Sequence, residues 1–306
     1  GYVIPAIRAY SGLPPVRQCS CRAYKFHETP FHFRERAFRF FQNKVWLFTF
    51  GFSKRSTRLT GRQMWFYMDY GFVLKNYIRY RLHAKDEYSI HSPFMFDLFT
   101  KGLQRDADMS QYNGLDVLAK GSAKPWLPNI LRAYRRRVLF LCRLLDYFKP
   151  KAVLIVGNDG GVCAAYFART LSDSRIFNVL CDEKACKDYE AAFKKNSLNN
   201  ASFVCANGGK GLKGVLEKIG KADFVLLNGE NENGDWGETM EEIIPFCDEE
   251  GVVVLGDIRC KREMNELWER VRRDERFRVC ADFFLCGAAF LTKRPLKRQY
   301  YVLKRR

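Results

Sequence analysis

The 306-residue chain has no apolar run near the roughly 18 residues that a bilayer-spanning helix needs; its most lipid-like stretch, Val45 to Phe52, is less than half that length. No membrane partner is expected. The opening residues, Gly1-Tyr2-Val3-Ile4-Pro5, lack the basic start, continuous apolar middle and small-residue cleavage site of a secretory signal, so none is expected. Methionine is absent before Met64, and the first sixty or so residues show no sustained helical or strand period. Residues 1–63 are therefore expected to be an irregular arm packed on the main domain, or a stretch upstream of the natural start. Zinc-site spacing is missing too. Cys19 and Cys21 are followed by no second cysteine or histidine pair at the right interval, and His27 and His32 do not supply one. The 11 cysteines show no disulfide framework. Cys142, Cys163, Cys181, Cys186, Cys205, Cys247, Cys260, Cys280 and Cys286 are scattered through an apparent α/β core, as reduced cysteines acting as small hydrophobes would be. A cytoplasmic location fits.

The net charge of +18 favours anionic partners, but half of it is local. Residues 1–70 carry 12 Lys or Arg against 3 Asp or Glu, leaving the remainder only mildly basic. The run Phe31 to Phe41 interleaves rings with arginines, as single-stranded nucleic-acid surfaces do, so this arm is a candidate nucleic-acid contact. Residues 64–150 read as a helical section. Phe72 to Leu82 has amphipathic spacing, Ser92-Pro93 is suited to start a helix running to about Leu103, and Leu127 to Phe148 marks a long helix ending at Pro150. Arg132, Arg135, Arg136 and Arg143 fall on its other side, either as a solvated face or as a phosphate contact.

Residues 151–306 alternate short β-branched runs with helical stretches: Ala152–Val156, Ile176–Cys181, Ser202–Ala206, Ala222–Leu227 and Gly251–Leu255. Such alternation predicts parallel strands joined by crossover helices. After a helix from about Arg262 to Arg273, Phe277–Phe283 and Ala288–Lys293 leave no room for a helix between them, and Tyr300–Leu303 is a short edge segment. The expected fold class is α/β: a Rossmann-like doubly wound sheet of five parallel strands plus an antiparallel C-terminal pair, with a helical N-terminal section.

Chemistry concentrates in Val153 to Ala165, a strand, a turn containing Gly157, Gly160 and Gly161, and a helix start. Absent side chains admit a ligand to the backbone, and the helix start offers free N–H groups. The second strand ends at Asp182-Glu183, where a carboxylate can accept both ribose hydroxyls, so the two elements together suggest an adenosine ligand. Asp159 occupies the place where the dinucleotide pattern needs its second glycine.

From roughly Tyr70 to Leu303 the chain resembles class I S-adenosylmethionine (SAM)-dependent methyltransferases of the O-methyltransferase type. The resemblance rests on Tyr80-Arg81-Leu82-His83-Ala84-Lys85 with His91-Ser92-Pro93-Phe94, the Gly157–Gly161 turn, Asp223 to Gly229, and Gly251 to Ile258. It implies SAM as cofactor and methyl transfer to an oxygen or nitrogen nucleophile of a small-molecule acceptor. Gly157, Asn158, Gly160 and Gly161 would border the methionine part, Asp182 the ribose and Asn207 the adenine. Asn228 and Gly229 would face the sulfonium and the acceptor, with Asp257 beside the transferred methyl and His91 lining the acceptor pocket as the other available base. Four positions depart from the pattern: an acid is usual at Ile155, a glycine at Asp159 and carboxylates at Asn228 and Gly256. With Asp257 alone there is no oxygen cage for magnesium, so no catalytic metal is expected. Alternatives stay open: Asp182 or Asp257 can cap the helix that follows it, His91 can bond a backbone carbonyl, and the whole chain can be an inactive binding or interaction module.

Overall fold

The computed structural model describes residues 69–104, 110–112, 115, 128–206, 211–228, 235–292 and 297–304. The chain divides into two units, Gly1–Ser56 and Thr57–Arg306, and all described residues lie in the second. The expected arm at residues 1–63, with Cys19, Cys21 and the Phe31–Phe41 run, lies outside them, as do Asn207 and Gly229.

Eight strands form one sheet in the order β3-β2-β1-β4-β5-β7-β6-β8. They are β1 (Ala152–Val156), β2 (Arg175–Leu180), β3 (Ala201–Cys205), β4 (Ala222–Leu227), β5 (Cys247–Gly256), β6 (Phe277–Asp282), β7 (Cys286–Leu291) and β8 (Gln299–Val302). The first five run parallel, β7 is antiparallel to both β5 and β6, and β8 closes the edge parallel to β6. The expected five-plus-two arrangement is present, with the edge segment realised as β8. One boundary moves by several residues: β5 begins at Cys247, four residues before Gly251, because Cys247 pairs with Ala222 ahead of a register shift. The polar Asp248-Glu249-Glu250 in that shift interrupts the β-branched pattern that marks the rest of the strand.

Alternation along the strands feeds two apolar layers. Val153, Ile155, Ile176 and Leu180 face the layer built by α3 (Pro128–Phe148), α4 (Val162–Thr170) and α5 (Glu183–Lys195). Leu154, Val156, Val253 and Leu255 face α6 (Gly211–Ile219), α7 (Trp236–Ile243) and α8 (Arg262–Val271). The helical section opens with α1 (Tyr70–His83), capped by Asp69 accepting from the Phe72 amide at 3.0 Å. It continues in α2 (Pro93–Asp97), where Ser92 caps the Met95 amide, and widens into a π-helical turn over Leu98–Leu103. Met95, Leu98 and Phe99 share the apolar layer with Val138 to Leu145 and with β1, so this section belongs to the core of the sheet domain. Arg143 donates to the Leu103 carbonyl at 3.2 Å, so it is not simply part of a solvated face, whereas Arg136 is exposed. All nine cysteines from Cys142 to Cys286 are free thiols.

In this layer Asn178 stands in register beside Ile155, fully buried at 0% exposure. Among the described residues neither its Nδ2 nor its Oδ1 finds a hydrogen-bond partner. A dry amide left unbonded costs on the order of 1–3 kcal/mol. Asn178→Leu, close in volume, is expected to raise the unfolding free energy by about 1–2 kcal/mol, read as a higher urea midpoint. A lowered midpoint would mean that buried water satisfies the amide.

Candidate functional site

β1 lies between β2 and β4, so the chain leaving β1 turns to one face of the sheet and the chain leaving β4 to the other. Neither helix layer covers the gap that opens at their C-terminal ends, which is where doubly wound sheets bind ligands. The Asn228 amide donates to the Val156 carbonyl at 3.1 Å and the Gly157 amide to the Val179 carbonyl at 3.3 Å, extending the sheet into this gap. Gly157, Gly160 and Gly161 then adopt φ of 107°, 78° and 73°. A side chain would strain each of them, and the turn presents bare backbone at the start of α4.

Two polar side chains fold back into the turn. Asn158 Oδ1 accepts from the Gly160 amide at 3.0 Å and from the Tyr189 hydroxyl at 3.5 Å. Asp159 Oδ2 accepts from the Cys163 amide at 3.1 Å, supplying α4 with the cap that Gly161 at its N-cap cannot give. The same oxygen accepts from Asn228 Nδ2 at 3.2 Å. Asn228 is only 2% exposed, and a Cβ at Gly256 would come within 2.4 Å of its Oδ1. Three of the four positions where the sequence leaves the methyltransferase pattern thus form one contact chain: Asp159, Asn228, Gly256. The fourth, Ile155, is buried in the core one strand layer below.

Asp182 follows β2 and is exposed. Its Oδ1 caps α5 by accepting from the amides of Lys184 at 2.9 Å and Ala185 at 3.3 Å. Capping and a ribose contact are compatible, because both bonds use one oxygen. Asp257 follows β5 with φ 56°, its amide donating to the Leu285 carbonyl at 2.7 Å. Its carboxylate does not cap α8; the helix-facing bonds from Cys260 and Lys261 go to its backbone carbonyl. It forms an ion pair with Arg137 of α3 instead.

Arg137 escaped the sequence reading. It is the last of three consecutive arginines, directly before the apolar Val138 to Cys142, and it is drawn in to 7% exposure by the carboxylate at the strand ends. Next to it the Cys260 thiol is pushed up to about 12 by burial and by the Asp257 charge. A second arginine holds the neighbouring loop. Arg259 Nε donates to Asp282 Oδ2 at 3.0 Å, and Nη2 bonds the same oxygen. The Tyr300 hydroxyl also donates to that oxygen at 3.2 Å. Burial and the Asp282 charge push the Tyr300 phenol up to about 12, which keeps it a donor. Burial acts to lower the Arg259 pKa, but the Asp282 charge outweighs it and holds the guanidinium above its ordinary value.

His91 is exposed, and Phe94, three residues on, packs against Phe148 and against Phe290, which pairs with Val252 in the middle of β5. No group of three or more metal-ligating side chains gathers among the described residues.

The strand order, with its antiparallel β7 inserted between β5 and β6, decides the architecture. The fold is that of the class I methyltransferases. No protein-family model matches the chain, and no curated protein matches it. Solved structures do. A methyltransferase from Geobacter sulfurreducens is 14% identical over 65% of this chain and 97% of its own, with a TM-score of 0.47. An O-methyltransferase from Bacillus cereus in complex with S-adenosylhomocysteine (SAH) is 15% identical over 64% and 97%, with a TM-score of 0.44. The SAH-bound methyltransferase PaMTH1 of Podospora anserina is 12% identical over 67% and 97%, with a TM-score of 0.49. Likeness at this level says nothing of what the present edge binds; that depends on its own side chains.

Arg137→Met would leave the Asp257 carboxylate, whose side chain is 20% exposed, without its cation. A loss of about 2–3 kcal/mol in unfolding free energy is expected, smaller than for a fully buried pair. Adding Asp257→Asn should recover about half of it in a double-mutant cycle followed by urea denaturation. Strictly additive losses would mean that the two charges are not coupled.

Proposed function

We propose that the chain is a SAM-dependent methyltransferase acting on an oxygen or nitrogen nucleophile of a small-molecule acceptor. One observation carries the reading: Gly157, Gly160 and Gly161 are held at positive φ at the point where the strand order reverses, one strand from an exposed Asp182. The bare backbone of Gly157 to Gly161, with Asn158, is suited to the amino-acid end of SAM, and the second oxygen of Asp182 to the ribose. Asn207 would lie by the adenine, and Gly229 with Asn228 by the sulfonium. When bound, SAM supplies an electrophilic methyl for in-line displacement. The chain's own contribution is positioning: the Asp257–Arg137 pair offers a carboxylate to receive the acceptor's proton and a cation to hold an anionic acceptor oxygen. Arg137 supplies positive charge beside Asp257 from the chain itself. Nine free thiols among the described residues, six of them buried, support a reducing compartment, the cytoplasm.

A second reading, a binding or interaction module without catalysis, is favoured by Asp159. Its carboxylate already bonds one of the free amides of the first turn of α4, that of Cys163, where a ligand carboxylate would otherwise be received, and it adds like charge. Calorimetric titration with SAH separates the two readings. Wild type is expected to bind, and Asp159→Asn, which keeps an amide-accepting oxygen but removes the charge, should bind about tenfold tighter, or roughly 1.4 kcal/mol. Absence of heat for both proteins at about millimolar SAH would leave the second reading standing.

A further inference from the structure

The outer face of α1 is not explained by the fold. Its inner line, Val73, Asn76 and Tyr80, is buried at the C-terminal end of the sheet. There Tyr77 and Tyr80 pack on Phe284 at 5.3 and 5.2 Å, and the Tyr80 hydroxyl donates to the Leu303 carbonyl. At 3.6 residues per turn, the line directly opposite runs through Lys75, Ile78, Arg79 and Leu82, neighbours at three- and four-residue spacing. All four are exposed, Ile78 by 38% and Leu82 by 68%. Single exposed aliphatics are ordinary. These two adjoin each other on the outermost line of a helix whose other side is already packed, and Lys75 and Arg79 fence them. Arg81 and Lys85 are exposed alongside, and no acidic residue occurs between Asp69 and Asp86. The face is also pre-formed: Arg262 pairs with Asp69 at the start of α1 and lies 4.9 Å from the Phe72 ring.

Three occupants differ in chemistry. A second copy of this face would set four cations against four cations. Single-stranded nucleic acid would use the cations, but it stacks its bases on aromatic faces, and this line offers only aliphatic ones. An anionic bilayer surface uses both features, since its phosphate and carboxylate headgroups pair with Lys and Arg while leucine and isoleucine enter the headgroup–acyl boundary. We infer that α1 is a peripheral membrane-contact helix that docks on anionic phospholipid through Lys75, Ile78, Arg79 and Leu82. This contact lies on the surface of a bilayer and needs no spanning segment; among the described residues no helix is long and apolar enough to cross one. It is independent of whether the glycine turn binds SAM.

Flotation of the full chain with phosphatidylcholine vesicles, with and without phosphatidylserine, tests the docking. The wild type is expected to float only with phosphatidylserine present. Lys75→Gln with Arg79→Gln should lower the partition coefficient roughly twentyfold, and Ile78→Ser with Leu82→Ser about tenfold. Both pairs should leave the thermal midpoint unchanged, because none of the four side chains is buried. The inference is overturned if the wild type ignores both vesicle types or binds them equally, or if both variants float as the wild type does. It is also overturned if the cation variant loses affinity for a single-stranded oligonucleotide while its vesicle binding holds.

Discussion

Because β1 and β4 are neighbours whose following chain departs to opposite faces, their C-terminal ends form a gap that neither helix layer can fill. What distinguishes this protein is how it fills that gap with its own side chains. Asp159 reaches over the first turn of α4, Asn228 reaches toward Asp159, and the absence of a side chain at Gly256 makes room for the Asn228 amide. Each replacement makes sense only with the others. A carboxylate at position 228 would face the Asp159 carboxylate at the 3.2 Å now spanned by an N–H donor, and any Cβ at 256 would collide with the amide at 2.4 Å. Asp159, Asn228 and Gly256 are thus matched in charge and in space.

The same shift in charge balance appears at the end of β5. A carboxylate there needs a cation nearby, and α3 supplies it as Arg137, buried at 7% exposure. Two strands further out, at the end of β6, Asp282 at 0% exposure is neutralised by Arg259 and bonded by Tyr300. Two guanidiniums thus hold successive strand ends. Because the Asp257 amide is also bonded to Leu285, the loop after β5 is fixed through both its backbone and its side chain. Such locking places Asp257 firmly, with its carboxylate and the Arg137 guanidinium presented together.

The strands were legible in the sequence because a buried parallel strand is a short β-branched run, and Ala152–Val156 and Ala222–Leu227 have the same limits in the structure. Ser92 as a cap was legible for an equally local reason. Contacts across long sequence separations were not. Asp159 and Asn228 are 69 positions apart, and Arg137 and Asp257 are 120 apart; no periodicity reports such pairs. Arg137 was further disguised by its place among Val138, Leu139 and Phe140, where a charge looks like the edge of an apolar face. The packing of Phe94 on Phe148 and Phe290 was hidden in the same way, because its partners lie far along the chain.

α1 departs from the amphipathic pattern expected of Phe72 to Leu82, because Ile78 and Leu82 share its exposed side with Lys75 and Arg79. Its contrast is low because the outer face keeps Ile78 and Leu82, not because the inner face lacks apolar residues: Val73 and Tyr80 are buried and Phe284 is clasped by two tyrosines. In water the exposed parts of those outer side chains contribute little to folding, and a serine or glutamine in their place would leave the core untouched. Since Asn76 reaches toward the Arg259 carbonyl and Tyr80 bonds the Leu303 carbonyl, the inner line of α1 is anchored to the C-terminal end of the sheet, which leaves the outer line as the part of the helix that the fold does not fix.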